Sequence, residues 1–146
     1  MSATVRFELR ELVDSYALAV DRKEPEIVAA LFAKEGRLVT TFGPGTPESP
    51  LVRTGRDSIT TSLTEGLARY VATTHVIGSH SSEVSGDRAT GETRCLAHHV
   101  YLRGDEHRLL VMAVRYDDLY EIEDGSWLFA ERRLSVDWRQ DSALGG

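Results

Sequence analysis

The chain of 146 residues carries 17 Lys and Arg against 23 Asp and Glu, a net charge of −6 with neutral histidines. That length suits one domain with its own core, and the acidic balance argues against nucleic acid or an anionic membrane as a main partner. No apolar run is long enough to span a bilayer, Met1–Glu8 has no apolar leader core, and Cys95 is the only cysteine, so the expectation is a cytoplasmic protein without disulfides.

Val5, Leu9, Leu12, Val13, Tyr16, Ala17 and Val20 recur at three- and four-residue spacing, which predicts an amphipathic helix from Ala3 to Asp21. Pro25, with its fixed φ, introduces a second helix over Glu26–Ala33 that buries Ile27, Ala30, Leu31 and Phe32 and stops at Gly36. A strand follows at Arg37–Phe42. Gly43–Pro50 holds three of the four prolines and reads as a loop, either a lid or plain surface. A third helix runs from Arg56 to Tyr70, with Ile59, Leu63, Leu67 and Tyr70 on its buried side. Only strands follow, at Thr74–Ser82, Arg88–Leu102, Arg108–Ile122 and Trp127–Trp138. Their turns are Ser85-Gly86-Asp87, Arg103-Gly104-Asp105 and Glu123-Asp124-Gly125-Ser126. Three helices and a strand ahead of a meander is an α+β pattern. It implies a single domain over 1–146, with helices on one face of a curved antiparallel sheet and a cone-shaped interior open at one end.

The residues that can carry chemistry gather around Thr73-Thr74-His75-Val76-Ile77-Gly78. A histidine beside a carboxylate is a general base of fixed tautomer: the carboxylate accepts from one ring nitrogen and the other is left to take a proton. Asp21 is the carboxylate to pair with His75. It ends a helix, where the dipole disfavours a negative charge by about 0.3–1 kcal/mol, so something must offset that cost or the side chain is solvated. The plainer readings are a surface contact of Asp21 with Arg22 or Lys23 and a core His75 on a backbone carbonyl. His98 and His99 point to opposite sheet faces, and periodicity does not decide which one looks inward. They cannot chelate one ion together. His80 is out of phase with His75 in a regular strand, and no recognised ligand spacing is present, so no metal is expected. Tyr16 and Tyr116 can each reach a ligand oxygen or serve as core tyrosines. Cys95 reads as packing.

Asp21-Arg22-Lys23, Thr74-His75-Val76-Ile77-Gly78, Ala97-His98-His99, Asp124-Gly125-Ser126-Trp127-Leu128-Phe129-Ala130 and Asp137-Trp138, in this order and spacing, resemble the SnoaL-like branch of the nuclear transport factor 2-like superfamily. Within it, the chain is similar to the scytalone dehydratase group. The resemblance implies a cystatin-like α+β barrel with the site inside the cone. It also implies an aspartate–histidine dyad at Asp21 and His75, a second cavity histidine at His99, and dimerisation through the outer sheet face. The same pair recurs in hexachlorocyclohexane dehydrochlorinase, which eliminates HCl. Two dehydratase tyrosines that polarise a carbonyl are replaced here by Val20 and Thr40, and a pocket asparagine by Tyr116. Scytalone is therefore not the expected substrate, and Tyr16, Tyr116 or His99 must serve any oxyanion.

The expectation is a cofactor-independent lyase of dehydratase type acting on a small hydrophobic or cyclic molecule. His75 removes a proton, Asp21 holds and charge-balances it, and His99 donates to the leaving oxygen or the oxyanion. Isomerisation of a small cyclic ketone would use the same base. The reading from another class is a non-catalytic cone, binding a small molecule or serving as a dimeric scaffold. An open pocket beside a formed dyad separates the two.

Overall fold

The computed structural model describes residues 2–41 and 50–145; the loop expected at Gly43–Pro50 lies outside the described residues except for Pro50. Helix α1 (Ser2–Asp21) and helix α2 (Pro25–Ala30) precede strands β1 (Phe32–Thr41) and β2 (Leu51–Thr54). Helix α3 (Arg56–Leu67) then leads into β3 (Ala72–Ser85), β4 (Arg88–Arg103), β5 (Glu106–Glu123) and β6 (Ser126–Ala143). All six strands form one sheet in the order β2-β1-β6-β5-β4-β3. The edge strands β2 and β3 do not pair with each other, so the curved sheet is an open cone, α+β as expected.

One expectation needs correcting. The sheet is not wholly antiparallel, because β1 pairs with β6 in parallel, Leu38 facing Arg132 and Thr40 facing Leu134. Between these two strands the chain runs through β2, α3, β3, β4 and β5, so no hairpin joins them. The meander itself is as read: in the β5–β6 hairpin Asp124 and Gly125 both take positive φ, 52° and 82°, as a two-residue type I′ turn requires.

Helix α1 buries Leu9, Leu12, Val13, Tyr16, Ala17 and Val20 of the expected stripe, and Val5 is half-buried at its start. Helix α2 departs from expectation. It has six residues and buries Val28 and Ala29, while Ile27 is about half exposed at 49% and Phe32 already belongs to β1. A spacing argument needs two full turns, and α2 ends before them. Gly36 is no helix stop either. It lies in β1, where an added Cβ would stand 2.9 Å from the Ala33 carbonyl oxygen and 3.0 Å from that of Phe129.

Three irregularities decide which side chains face the helices. One residue is extra in β3 between Ile77 and His80, and in β6 Ala130 and Asp137 are passed over in the pairing with β5. Each bulge exchanges inner and outer faces along the rest of its strand. Inner side chains of β3 are therefore Thr73, His75 and Ile77, then His80, on the rows of the buried β4 residues His99, Ala97, Cys95 and Thr93. In β6, Phe129 faces inward, and past Ala130 so do Arg132 and Val136.

Candidate active site

The end of α1 is closed by a Schellman motif: Lys23 N–H donates to the Val20 carbonyl at 3.0 Å and Glu24 N–H to Ala19 at 2.9 Å. The residue turning the corner is Lys23, with φ 55°, although a non-glycine residue there costs about 1–2 kcal/mol. Lys23 Nζ also donates to the Tyr70 carbonyl at 2.7 Å, tying this corner to the segment after α3. Asp21 is thereby fixed in the last helical turn, facing the start of β3.

Asp21 accepts from Thr73 Oγ1 at 2.9 Å, from the His75 backbone N–H at 2.8 Å, and from His75 Nδ1 at 2.6 Å. Hydrogen bonds to a charged group stabilise by about 1.5–3 kcal/mol each, which outweighs the unfavourable dipole at the helix end. Burial raises the Asp21 carboxyl, but the hydrogen bonds from His75 and Thr73 prevail and hold it below the ordinary value. Because a carboxylate only accepts, Nδ1 of His75 carries the proton and Nε2 is bare. The dyad expected at Asp21 and His75 has the geometry of an oriented base.

The His98/His99 question resolves on burial. His99 is buried on the inner face, whereas His98 points outward, its Nδ1 donating to the Thr74 carbonyl at 3.2 Å. The His99 ring lies between Tyr70, at 4.6 Å between centroids, and His75, at 5.7 Å and nearly perpendicular. Its Nδ1 donates to the Leu110 carbonyl at 3.3 Å, so Nε2 is the acceptor. Burial pulls the His99 imidazole down to about 4, and a second proton on His75 would disfavour a charge on His99 further. A neutral ring with a bare Nε2 cannot donate, so the donor role expected of His99 becomes that of an acceptor.

A cavity of about 150 Å³ adjoins both imidazoles; its walls include Tyr16, Val20, Leu67, Tyr70 and Tyr116. Tyr16 and Tyr116 stand edge to face at 5.8 Å, and neither hydroxyl has a hydrogen-bond partner among the described residues. Thr40, expected in the pocket, is not part of this wall; it lies half-buried at the end of β1, opposite Leu134.

Behind the tyrosines lies a buried ion pair that the sequence analysis did not single out. The Arg132 side chain has no solvent exposure, and its Nε donates to Asp118 Oδ1 at 3.0 Å, itself fully buried. The guanidinium carbon sits 3.6 Å from the Tyr116 ring centroid and 4.2 Å from that of Tyr16. Tyr120 completes the cluster by donating to Asp118 Oδ2 at 3.2 Å, across Gly91, where a Cβ would meet the Tyr120 ring at 3.0 Å. Burial holds the Tyr16 phenol above its ordinary value and the Tyr116 phenol well above it, and Arg132 offsets only part of that rise. His80 is inward as well, with Nδ1 2.8 Å from Thr93 Oγ1, contrary to the out-of-phase reading, because the bulge shifts it. Among the described residues no three His, Cys, Asp or Glu side chains converge as metal ligands. Cys95 is buried, its thiol pushed up to about 11 by that burial.

Residues 1–133 match the model of the SnoaL-like domain family. The chain belongs to that family. Among solved structures, a scytalone dehydratase candidate from Novosphingobium aromaticivorans is 23% identical, with a TM-score of 0.78 over 99% of this chain and 91% of its own. A type 2 hexachlorocyclohexane dehydrochlorinase, LinA, is 19% identical, with a TM-score of 0.80 over 99% and 91%. A protein of unknown function from Mycobacterium tuberculosis is 25% identical, with a TM-score of 0.74 over 92% and 72%. No protein of curated function matches the sequence. At 19% and 23% identity the first two likenesses are of fold alone.

Proposed function

We propose that this SnoaL-like chain is a cofactor-independent lyase of dehydratase type, acting on a small hydrophobic or cyclic carbonyl compound. The observation that carries the reading is the 2.6 Å contact from His75 Nδ1 to Asp21 Oδ1, which leaves the other ring nitrogen bare beside an open cavity. His75 Nε2 takes the proton next to the carbonyl, and Asp21 balances the imidazolium. The Tyr16 and Tyr116 hydroxyls donate to the resulting enolate oxygen, in place of the tyrosines absent at Val20 and Thr40. A leaving hydroxyl donates its O–H to His99 Nε2 and presents a lone pair to the His75 imidazolium. The imidazolium returns the proton, the carbon–oxygen bond breaks, and water departs as the double bond forms. The open cavity favours this over a scaffold with a filled cone.

A second copy of the chain is part of the same reading. Val76, Leu96, Ala113 and Trp138 make one row across the outer face of β3, β4, β5 and β6, with Val76, Leu96 and Trp138 exposed at 50%, 42% and 55%. That row supports a homodimer through the outer sheet face. No helix among the described residues is long and apolar enough to cross a membrane, and the single buried cysteine suits the proposed cytoplasmic setting.

The test follows deuterium entering cyclohexanone at its α-carbons in D₂O, since it needs the base and no leaving group. Wild-type protein should accelerate exchange, and His75→Gln should remove about 10²–10⁴ of that acceleration. Equal exchange with wild type and variant would end the proposal.

A further inference from the structure

Gly66 occupies the last turn of α3 without needing to be glycine. It is not among the glycines of positive φ, and an added Cβ would meet no atom within 4 Å. An alanine there would hold the helix better, because glycine gives up more chain entropy on folding. What lies beside Gly66 is empty space of two kinds. Together with Ser62 and Arg69 it lines the His75 cavity, and the same three residues, with Glu65, line an outer groove of about 310 Å³. A side chain at position 66 would stand where the two spaces meet.

We propose that Gly66 is the specificity-determining gap between the His75 cavity and an outer subsite, and that the substrate has two parts: a single-ring head in the cavity and an uncharged, hydroxyl-bearing arm in the groove. This rests on the cavity being the substrate site. A cavity of about 150 Å³ holds roughly a benzene-sized group, so anything larger must project. The groove offers Ser62, which both donates and accepts, the Glu65 carboxylate, which accepts, and the Arg69 guanidinium, which donates. Arg69 Nε reaches the Gly66 carbonyl only at 3.5 Å, and no ion pair among the described residues joins Arg69 to Glu65. The opposite charges cancel, and a hydroxyl group satisfies both.

The experiment titrates the full-length chain with anisole and with phenyl β-D-glucoside, two aryl ethers with the same head, and follows the ring-proton NMR signals of His99 and His75. Both should move the His99 signal, with the glucoside binding about tenfold tighter. Gly66→Leu should abolish that advantage, Gly66→Ala should reduce it while raising the melting temperature, and Glu65→Gln, which changes the groove and not the cavity, should reduce it without touching anisole binding. A glucoside no tighter than anisole, an advantage that survives Gly66→Leu, or no His99 shift with either probe would overturn the proposal. Neither probe is turned over, so this binding result stands or falls separately from the exchange test of His75.

Discussion

Two pairs of a carboxylate with a nitrogen side chain lie on the inner side of the cone, and they are built for different work. Asp21–His75 joins a helix end to the edge strand β3, with the two side chains 24% and 8% exposed. Asp118–Arg132 joins β5 to β6 with both side chains fully buried. A histidine can gain and lose a proton near neutral pH, whereas an arginine cannot. The pair at the rim can therefore do acid–base chemistry on a ligand, while the deep pair is a fixed dipole. Its cation stacks beneath Tyr116 and Tyr16, so it acts on the pocket only through those rings.

The largest effect should come from breaking the deep pair. Asp118→Ala strands the Arg132 charge in the core and should cost about 3–5 kcal/mol in urea unfolding, with Asp118→Leu/Arg132→Met recovering much of it. A loss below about 1 kcal/mol would place the pair with surface contacts and erase the contrast. Asp21→Asn should do the reverse. We expect a stability loss of about 1–3 kcal/mol, because Thr73 and the His75 backbone keep an acceptor. Exchange activity should fall by about 10²–10⁴. Unfolding as severe as that of Asp118→Ala would make Asp21 structural.

A smaller effect is written in the pH dependence. His99 is held near 4 in the folded chain against 6.5 in the unfolded one, so the unfolded state binds the extra proton between those values. Its contribution to stability is complete above pH 6.5 and is lost as pH falls toward 4. His80, also lowered by burial, adds in the same direction. The melting temperature should fall over that window, and His99→Gln should flatten the slope. A slope unchanged by the variant would mean that His99 is not the group responsible.

The dyad was legible in the sequence because both partners sit in regular segments: Asp21 closes an uninterrupted stripe, and His75 lies before the β3 bulge. Residues beyond a bulge were misread. In β6, Phe129 is at an odd position while the next inner apolar residues, Leu134 and Val136, are at even ones. That switch of phase marks a bulge, and on the even phase Arg132 faces inward. Asp118 carried a clearer signal, standing between Tyr116 and Tyr120 on one unbroken inner phase of β5. Neither charged residue was singled out from the sequence, and their mutual pairing is what makes burial tolerable. The facing of α2 was beyond a spacing argument, since six residues do not define a stripe. The short strand β2 carries too few residues to show alternation.

The most direct measurement is the tautomer of His75, read at neutral pH from the ¹⁵N shifts of its two ring nitrogens in wild type and in Asp21→Asn. The expected result is a proton on Nδ1 and a bare Nε2 in wild type, with that preference weakened in the variant. A wild-type ring protonated on Nε2, or one whose tautomer is indifferent to Asp21, would contradict the oriented base on which the proposed chemistry stands.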